Sequence, residues 1–159
     1  MPALYLDASA LVKHYIIERG SAWIAEQLTM LRPDDAARPF AATTLLSNVE
    51  VVCALERARR NGRIDTSSVH FARRRFLSDM RRRYLVLDAN LDTALLAVRL
   101  AQRYPLRAYD AMHLATALIL NETLAERGFP ACIFLSADEA LLAAARAEGL
   151  GAENPNDHP

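Results

Sequence analysis

Short apolar runs alternate along the chain with longer stretches in which apolar residues return every three or four positions. Runs of strand character stand at Ala3–Leu6, Pro39–Ala42, Tyr84–Leu87 and Cys132–Leu135. After the second run, Leu45, Leu46, Val49, Val52 and Cys53 recur at helical spacing until the turn signal Asn61-Gly62; the spacing predicts a helix that lays this stripe on a sheet. A second helical pattern, Leu91, Leu95 and Val98, ends near Tyr104-Pro105, because the residue before a proline avoids helical geometry. Further helices are predicted from about Ala108 to Leu120 and from Glu139 to Glu148, just before Gly149. The segment from about Asp65 to Arg83 carries Val69, Phe71, Phe76, Leu77 and Met80 among six arginines, and reads as an amphipathic helix outside the sheet core.

Strands alternating with helices predict an α/β fold with a central, mostly parallel sheet flanked by helices. No repeat, low-complexity tract or linker divides the chain, so one domain is expected over 1–150. The remaining nine residues, 151–159, hold two prolines and two asparagines and read as a short flexible tail. At 159 residues a domain buries enough surface to fold without a metal or disulfide staple. No stretch approaches the roughly 20 apolar residues of a membrane span. Asp7 interrupts the first apolar run at once, unlike the apolar region of a signal peptide, and a cytoplasmic location without membrane contact is the expectation.

Composition removes several function classes. A hydrophobic share of 52% against 24% charged belongs to a packed protein and not a disordered one. Cys53 and Cys132 have neither CxxC spacing nor neighbouring histidines, which leaves zinc and thioredoxin-like chemistry without ligands. Nineteen basic residues balance nineteen acidic ones, and Lys13 is the only lysine. Arginine's rigid fork suits phosphate, but it suits surface carboxylates equally well.

The isolated acids are more informative. Asp7 follows the first strand, and Asp138 follows the last after Ser136-Ala137; both are expected at carboxyl ends of strands, where open parallel sheets place their sites. Asp110 falls in the first turn of a helix, with His113 and Leu114 on the same face. Glu50 is surrounded by Val49, Val51 and Val52, where a carboxylate is costly unless paired or bound to a cation. Each acid also has a bland explanation: Asp7 and Asp138 fit as helix caps or turn residues, Asp110 as an acid favoured by a helix dipole, and Glu50 as the partner of Ser47 in a capping box. Asp88, which also follows a strand, is assigned to capping. If the four acids converge, they form a hard oxygen site suited to Mg²⁺ or Mn²⁺. Such ions can polarise a phosphoryl oxygen, acidify bound water and stabilise a leaving oxygen.

The string "LYLDASALVKHY" at 4–15 resembles the opening strand and first acid of PIN domains. "TTLLSNVEVVCALERARRNGR" at 43–63 is similar to that family's second-acid helix, "LRAYDAMHLATAL" at 106–118 to its third-acid motif and "FLSADEALLAAARAEGL" at 134–150 to its fourth. The resemblance covers nearly the whole chain, in family order, and implies a three-layer PIN-like fold in which Asp7, Glu50, Asp110 and Asp138 meet around Mg²⁺ or Mn²⁺. It implies an endoribonuclease acting on single-stranded or loop RNA, the VapC-like toxin of a type II toxin–antitoxin pair, neutralised by a VapB-like antitoxin and commonly a homodimer. Ser9 and Ser136 occupy positions where the family often has Ser or Thr, and their hydroxyls can orient an acid or simply shape a turn. Lys13 and Arg107 lie beside the first and third acid motifs as candidate RNA contacts. Tyr15, Ile16, Trp23 and Ile24 are candidates for an antitoxin-binding patch, with the core as the competing destination for Ile16 and Ile24.

Three other classes compete. A receiver-like signalling domain needs a lysine near its last strand, and a phosphotransferase with an aspartyl nucleophile usually has a second Asp where Ser9 stands. A non-catalytic RNA-binding or protein-interaction module on the same fold is the strongest alternative.

Overall fold

The protein is described here by a computed structural model covering residues 2–31 and 39–158. The elements follow in the order β1 (Leu4–Leu6), α1 (Ala8–Val12), α2 (Ser21–Thr29), β2 (Ala41–Thr44), α3 (Ser47–Arg60), α4 (Thr66–Arg82), β3 (Tyr84–Leu87), α5 (Leu91–Arg103), α6 (Ala108–Glu126), β4 (Ile133–Leu135), α7 (Glu139–Ala147), β5 (Gly151–Glu153) and a final 3₁₀ turn (Pro155–Asp157). The strands form one parallel sheet in the order β3-β2-β1-β4-β5. Strand runs, helix alternation and parallel sheet therefore agree with the sequence reading.

The pleat of each strand sorts its side chains into two apolar layers. Tyr5, Ala42 and Phe134 pack with α5, α6 and α7 on one face, through Leu100, Leu114, Leu120, Leu141 and Leu142. Leu4, Leu6, Ala41 and Leu135 pack on the other with residues of α1 to α4, among them Leu11, Ile24, Val51, Leu55 and Phe76. Alternate residues facing opposite layers is the arrangement a period-two strand imposes on a sheet covered on both sides. The result is the expected three-layer architecture.

Several faces differ from the sequence reading. On α3 the buried residues are Ser47, Val51, Leu55 and Ala58, while Leu45, Val49 and Cys53 are exposed and Leu46 and Val52 only partly buried; most of the expected stripe lies off the buried face. On α5, Thr93, Ala97 and Leu100 are buried, and Leu91, Leu95 and Val98 face outward. The inner face of α3 packs on α1 and α4, and that of α5 on α6, so the neighbouring helix, and not hydrophobicity alone, selects the inner face. Helix α4 belongs to the core and does not lie outside it: Ala72, Phe76 and Met80 pack in the α1–α4 layer. Ile16 and Ile24 are likewise core residues. Asn90 and not Asp88 caps α5, accepting from the Thr93 backbone N–H at 3.0 Å.

Residues 151–153, read from sequence as the start of a flexible tail, instead pair in register with β4 as an edge strand. The turn that follows packs on the start of α2: His158 stacks on Trp23 with ring centroids 4.2 Å apart, and Gly20 sits against Pro155. Gly20 has φ +83°, and a Cβ there would stand 2.3 Å from the Pro155 carbonyl oxygen. A polar, proline-containing ending thus clasps the fold through contacts that no local periodicity announces.

The Gly20→Ala substitution is expected to lower stability by at least about 2 kcal/mol, from backbone strain plus the clash with Pro155. Gly62, with φ +70° and open space around it, is the control, since Gly62→Ala adds only the strain of about 1 kcal/mol. Urea unfolding midpoints check this; equal losses at the two positions would show that the final turn does not pack against Gly20.

Candidate active site

The chain reverses direction across the sheet at β1. After β1 it lays β2 and β3 on one side, then returns to place β4 on the other. The carboxyl ends of β1 and β4 therefore flank the point where parallel sheets open a crevice. Asp7 lies there: its backbone N–H donates to the Leu135 carbonyl at 3.0 Å, continuing the ladder one step beyond β1.

The Asp7 carboxylate, only 4% exposed, is fully engaged. It caps α1 by accepting from the Ala10 N–H at 2.8 Å. The Ser9 hydroxyl donates to it at 2.7 and 3.0 Å, and the Ser136 hydroxyl donates at 2.7 Å. Ser9 Oγ in turn accepts from the Ala137 N–H at 2.7 Å, and Ser136 Oγ from the Asp138 N–H at 3.0 Å. The two serines thus lace the segment after β1 to the segment after β4, with Asp7 at the knot.

Helix starts supply the other acids. Asp138 caps α7, accepting from the Leu141 N–H at 3.0 Å. Asp110 stands in the first turn of α6. Glu50 is in the first turn of α3 but makes no capping box; it receives the Nε2 of His113 at 2.7 Å. Asp7, Glu50, Asp110 and Asp138 line one cleft of about 730 Å³, together with Ser9, Arg57, Arg107 and His113. The capping roles of Asp7 and Asp138 are real, and they coexist with a place on the cleft wall.

The cleft is electrostatically costly. Burial pushes the Asp7 carboxyl above its ordinary range; His113, the Ser136 hydroxyl, the Ala10 N–H and the Ser9 hydroxyl oppose this without cancelling it. Asp110 is raised too, by burial first and then by the negative charges of Asp138 and Asp7. These are the two causes, desolvation and like charge, that a bound cation relieves.

Two further sequence candidates part company. Arg107 stands on the cleft wall, at the cap of α6. Lys13 does not reach the cleft: its ammonium, 5% exposed, donates to Glu18 at 3.0 Å and to the Arg19 carbonyl at 2.9 Å, clamping the loop after α1. That pairing commits the ammonium to Glu18, itself on the cleft wall, and not to the four acids. Sequence reasoning missed Arg57, although it lies two helical turns after Glu50 on the same face. His113 was noted only as sharing a face with Asp110.

The residue types fit a hard divalent cation, since four carboxylates line the cleft and the shifts of Asp7 and Asp110 stay upward despite His113 and Arg107. The side-chain positions do not form a closed cage: among the described residues no three His, Cys, Asp or Glu groups stand together as a ready ligand set. Glu50 is turned to His113, and Asp138 to its own helix.

The PIN domain family profile matches residues 4–147. The chain belongs to the PIN-domain family. Among solved structures, PAE2754 from Pyrobaculum aerophilum is similar at 20% identity and TM-score 0.60, with 95% of this chain and 83% of that one covered. FitAcB from Neisseria gonorrhoeae is similar at 12% identity and TM-score 0.61, covering 98% and 99%. Mycobacterium tuberculosis VapC20, a toxin that cleaves the Sarcin-Ricin loop, is similar at 14% identity and TM-score 0.60, covering 93% and 96%. No curated protein matches at the sequence level. In this PIN domain, no helix among the described residues is long and apolar enough to cross a membrane.

A raised carboxyl pKa has a defined consequence for stability. The folded state holds the Asp110 proton more tightly than the unfolded chain does, so this group's contribution is largest below the ordinary carboxylate pKa and is lost as pH rises through the folded value. Without divalent cations, Asp110→Asn is therefore expected to melt a few degrees above the parent protein at pH 7. The gain should disappear at acidic pH, where both side chains are neutral. Calorimetry in chelator checks this, and a lower melting temperature at pH 7 would contradict the electrostatic reading.

Proposed function

We propose that this PIN domain is a divalent-metal-dependent endoribonuclease, the VapC-like toxin of a toxin–antitoxin pair. The observation that carries the reading is the placement of Asp7, Glu50, Asp110 and Asp138, from four separate segments, on the wall of one cleft at the carboxyl edge of the sheet. Those carboxylates are the residues that would hold Mg²⁺ or Mn²⁺. Bound there, such an ion polarises the scissile phosphate and favours attack by water.

The chain's own residues divide the remaining work. Ser9 and Ser136 hold Asp7 in a single orientation. Arg57 and Arg107, both exposed at the cleft, offer guanidinium groups to backbone phosphates on either side of the cut, which gives affinity that falls with salt and is largely indifferent to sequence. Single-stranded or loop RNA, whose phosphates are presented singly, is the substrate of this reading.

The proposal extends to partners. Similar folds are found in a toxin–antitoxin complex from Klebsiella pneumoniae and in VapBC2 from Rickettsia felis; by analogy a VapB-like antitoxin is the partner of this chain. The exposed apolar face of α5, with Leu91 72%, Leu95 51% and Val98 54% exposed, suits burial against a second copy in a homodimer.

RNA cleavage by the purified protein with Mn²⁺ tests the activity. Cleavage should stop in chelator, and Asp7→Asn should lower it by at least about a hundredfold, the effect of removing one group that stabilises the transition state. RNA binding that persists with no cleavage at any Mn²⁺ concentration would favour the non-catalytic binding module. For the dimer, Leu95→Arg should weaken self-association by about tenfold or more in sedimentation velocity. An unchanged dimer would move the interface elsewhere.

A further inference from the structure

His113 is a buried polar side chain that the four-carboxylate reading leaves without a task. It is 1% exposed, and both ring nitrogens are used: Nε2 lies 2.7 Å from Glu50 Oε2 and Nδ1 3.2 Å from the Tyr5 hydroxyl. Tyr5 is itself fully buried, stacked on Phe134 at 5.5 Å with nearly parallel rings. The imidazole meets the Tyr5 ring edge-on at 6.1 Å. This end of the chain of contacts is therefore anchored in the apolar core.

The direction of the hydrogen bonds follows from the groups. A carboxylate only accepts, so the proton shared with Glu50 is carried by Nε2. The Tyr5 phenol, pushed well above its ordinary range by burial, keeps its proton and can offer it to Nδ1. A fixed partner on one ring nitrogen sets which face of the ring, and which nitrogen, is presented to the other partner.

The placement in sequence is equally specific. Tyr5 precedes Asp7 by two residues on β1, His113 follows Asp110 by one helical step on α6, and Glu50 is carried by α3. A single run of contacts, Tyr5 to His113 to Glu50, therefore ties together the three elements that bear three of the four acids. Glu50 has no cap or cation among the described residues to hold it; the imidazole is what fixes it.

We infer that His113 is a positioning residue that holds the Glu50 carboxylate in register with Asp7 and Asp110 for a divalent cation, a role that rests on the nuclease reading above. It acts through Glu50 and touches neither ion nor RNA. Hydrogen-bonded supports of metal-binding carboxylates have this kind of leverage because a misoriented ligand loses affinity without any change in its own chemistry.

Two amides of different reach separate this role from packing. In His113→Gln the terminal N–H₂ falls where Nε2 was and can still donate to Glu50. In His113→Asn the amide falls where Nδ1 was, so it meets Tyr5 but stops short of Glu50. Both variants keep a polar, satisfiable group in the same hollow, and melting curves in chelator report whether each folds. Mn²⁺ binding by calorimetry on the full chain is expected to stay within about threefold of the parent for His113→Gln and to weaken about tenfold to a hundredfold for His113→Asn. Equal affinities in the two variants would give His113 a packing role only and overturn the inference. A parent protein that takes up no Mn²⁺ would remove the nuclease reading, and the inference with it. Should His113→Asn fail to fold, Tyr5→Phe with His113→Leu makes the hollow wholly apolar; Mn²⁺ affinity equal to the parent in that variant would likewise overturn the role.

Discussion

The burial of acidic side chains at the carboxyl edge of the sheet is the constraint around which this site is arranged. Asp7 and Asp138 cannot move apart, because β1 and β4 are paired and each acid sits within a few residues of a strand end. Asp110 arrives at the same rim on the first turn of α6, and its carboxyl is pushed up by burial first and then by the charges of Asp138 and Asp7. A fold keeps such a group of like charges only when something else selects it. The chain spends many hydrogen bonds on the arrangement: two serine hydroxyls and a backbone N–H on Asp7, a helix cap on Asp138 and an imidazole on Glu50.

The same contacts that make the site also close the fold. Asp7 begins α1 and joins β1 to β4 through Ser9 and Ser136, so the residue with the strongest claim to chemistry is also a junction of three elements. The capping readings of Asp7 and Asp138 hold, and a capping carboxylate can still face the cleft. A cap presents its carboxylate at a helix N-terminus, where positive backbone charge softens the cost of burying an anion. Placing several such starts along one edge of a sheet is a way to assemble a cation site from parts that each have a local reason to exist. Similar structures at 11–20% identity share the fold with little else in common.

What was legible in the sequence was what depends on local order: four apolar runs, the acids that follow them, and the motif strings around Asp7, Glu50, Asp110 and Asp138. What was not legible depended on which neighbour a residue finds. The stripes Leu45-Val49 and Leu91-Leu95-Val98 look like core faces, yet the true inner faces include Ser47, Ala58, Thr93 and Ala97, which pack where α3 meets α1 and α4 and where α5 meets α6. An apolar stripe announces burial but not the partner, and on α5 the stripe Leu91, Leu95 and Val98 stays exposed. Lys13 looked like a cation beside the first acid, and only the fold shows Glu18 curling back to take it. The ending 151–158 has the composition of a loop, and it is the strand edge of β4 and the hollow at Gly20 that give it structure. His113 sat in plain view in the third motif, but its task depends on Tyr5 and Glu50, which lie 108 and 63 positions away.

The central claim is that the four carboxylates form one cation site. Anomalous scattering from crystals grown with Mn²⁺ tests it most directly. The account predicts a manganese peak in the cleft between the carboxyl end of β1 and the start of α6, with Asp7 and Asp110 among its ligands. A peak bound only outside that cleft, or density for the four side chains unchanged by saturating Mn²⁺, would contradict it.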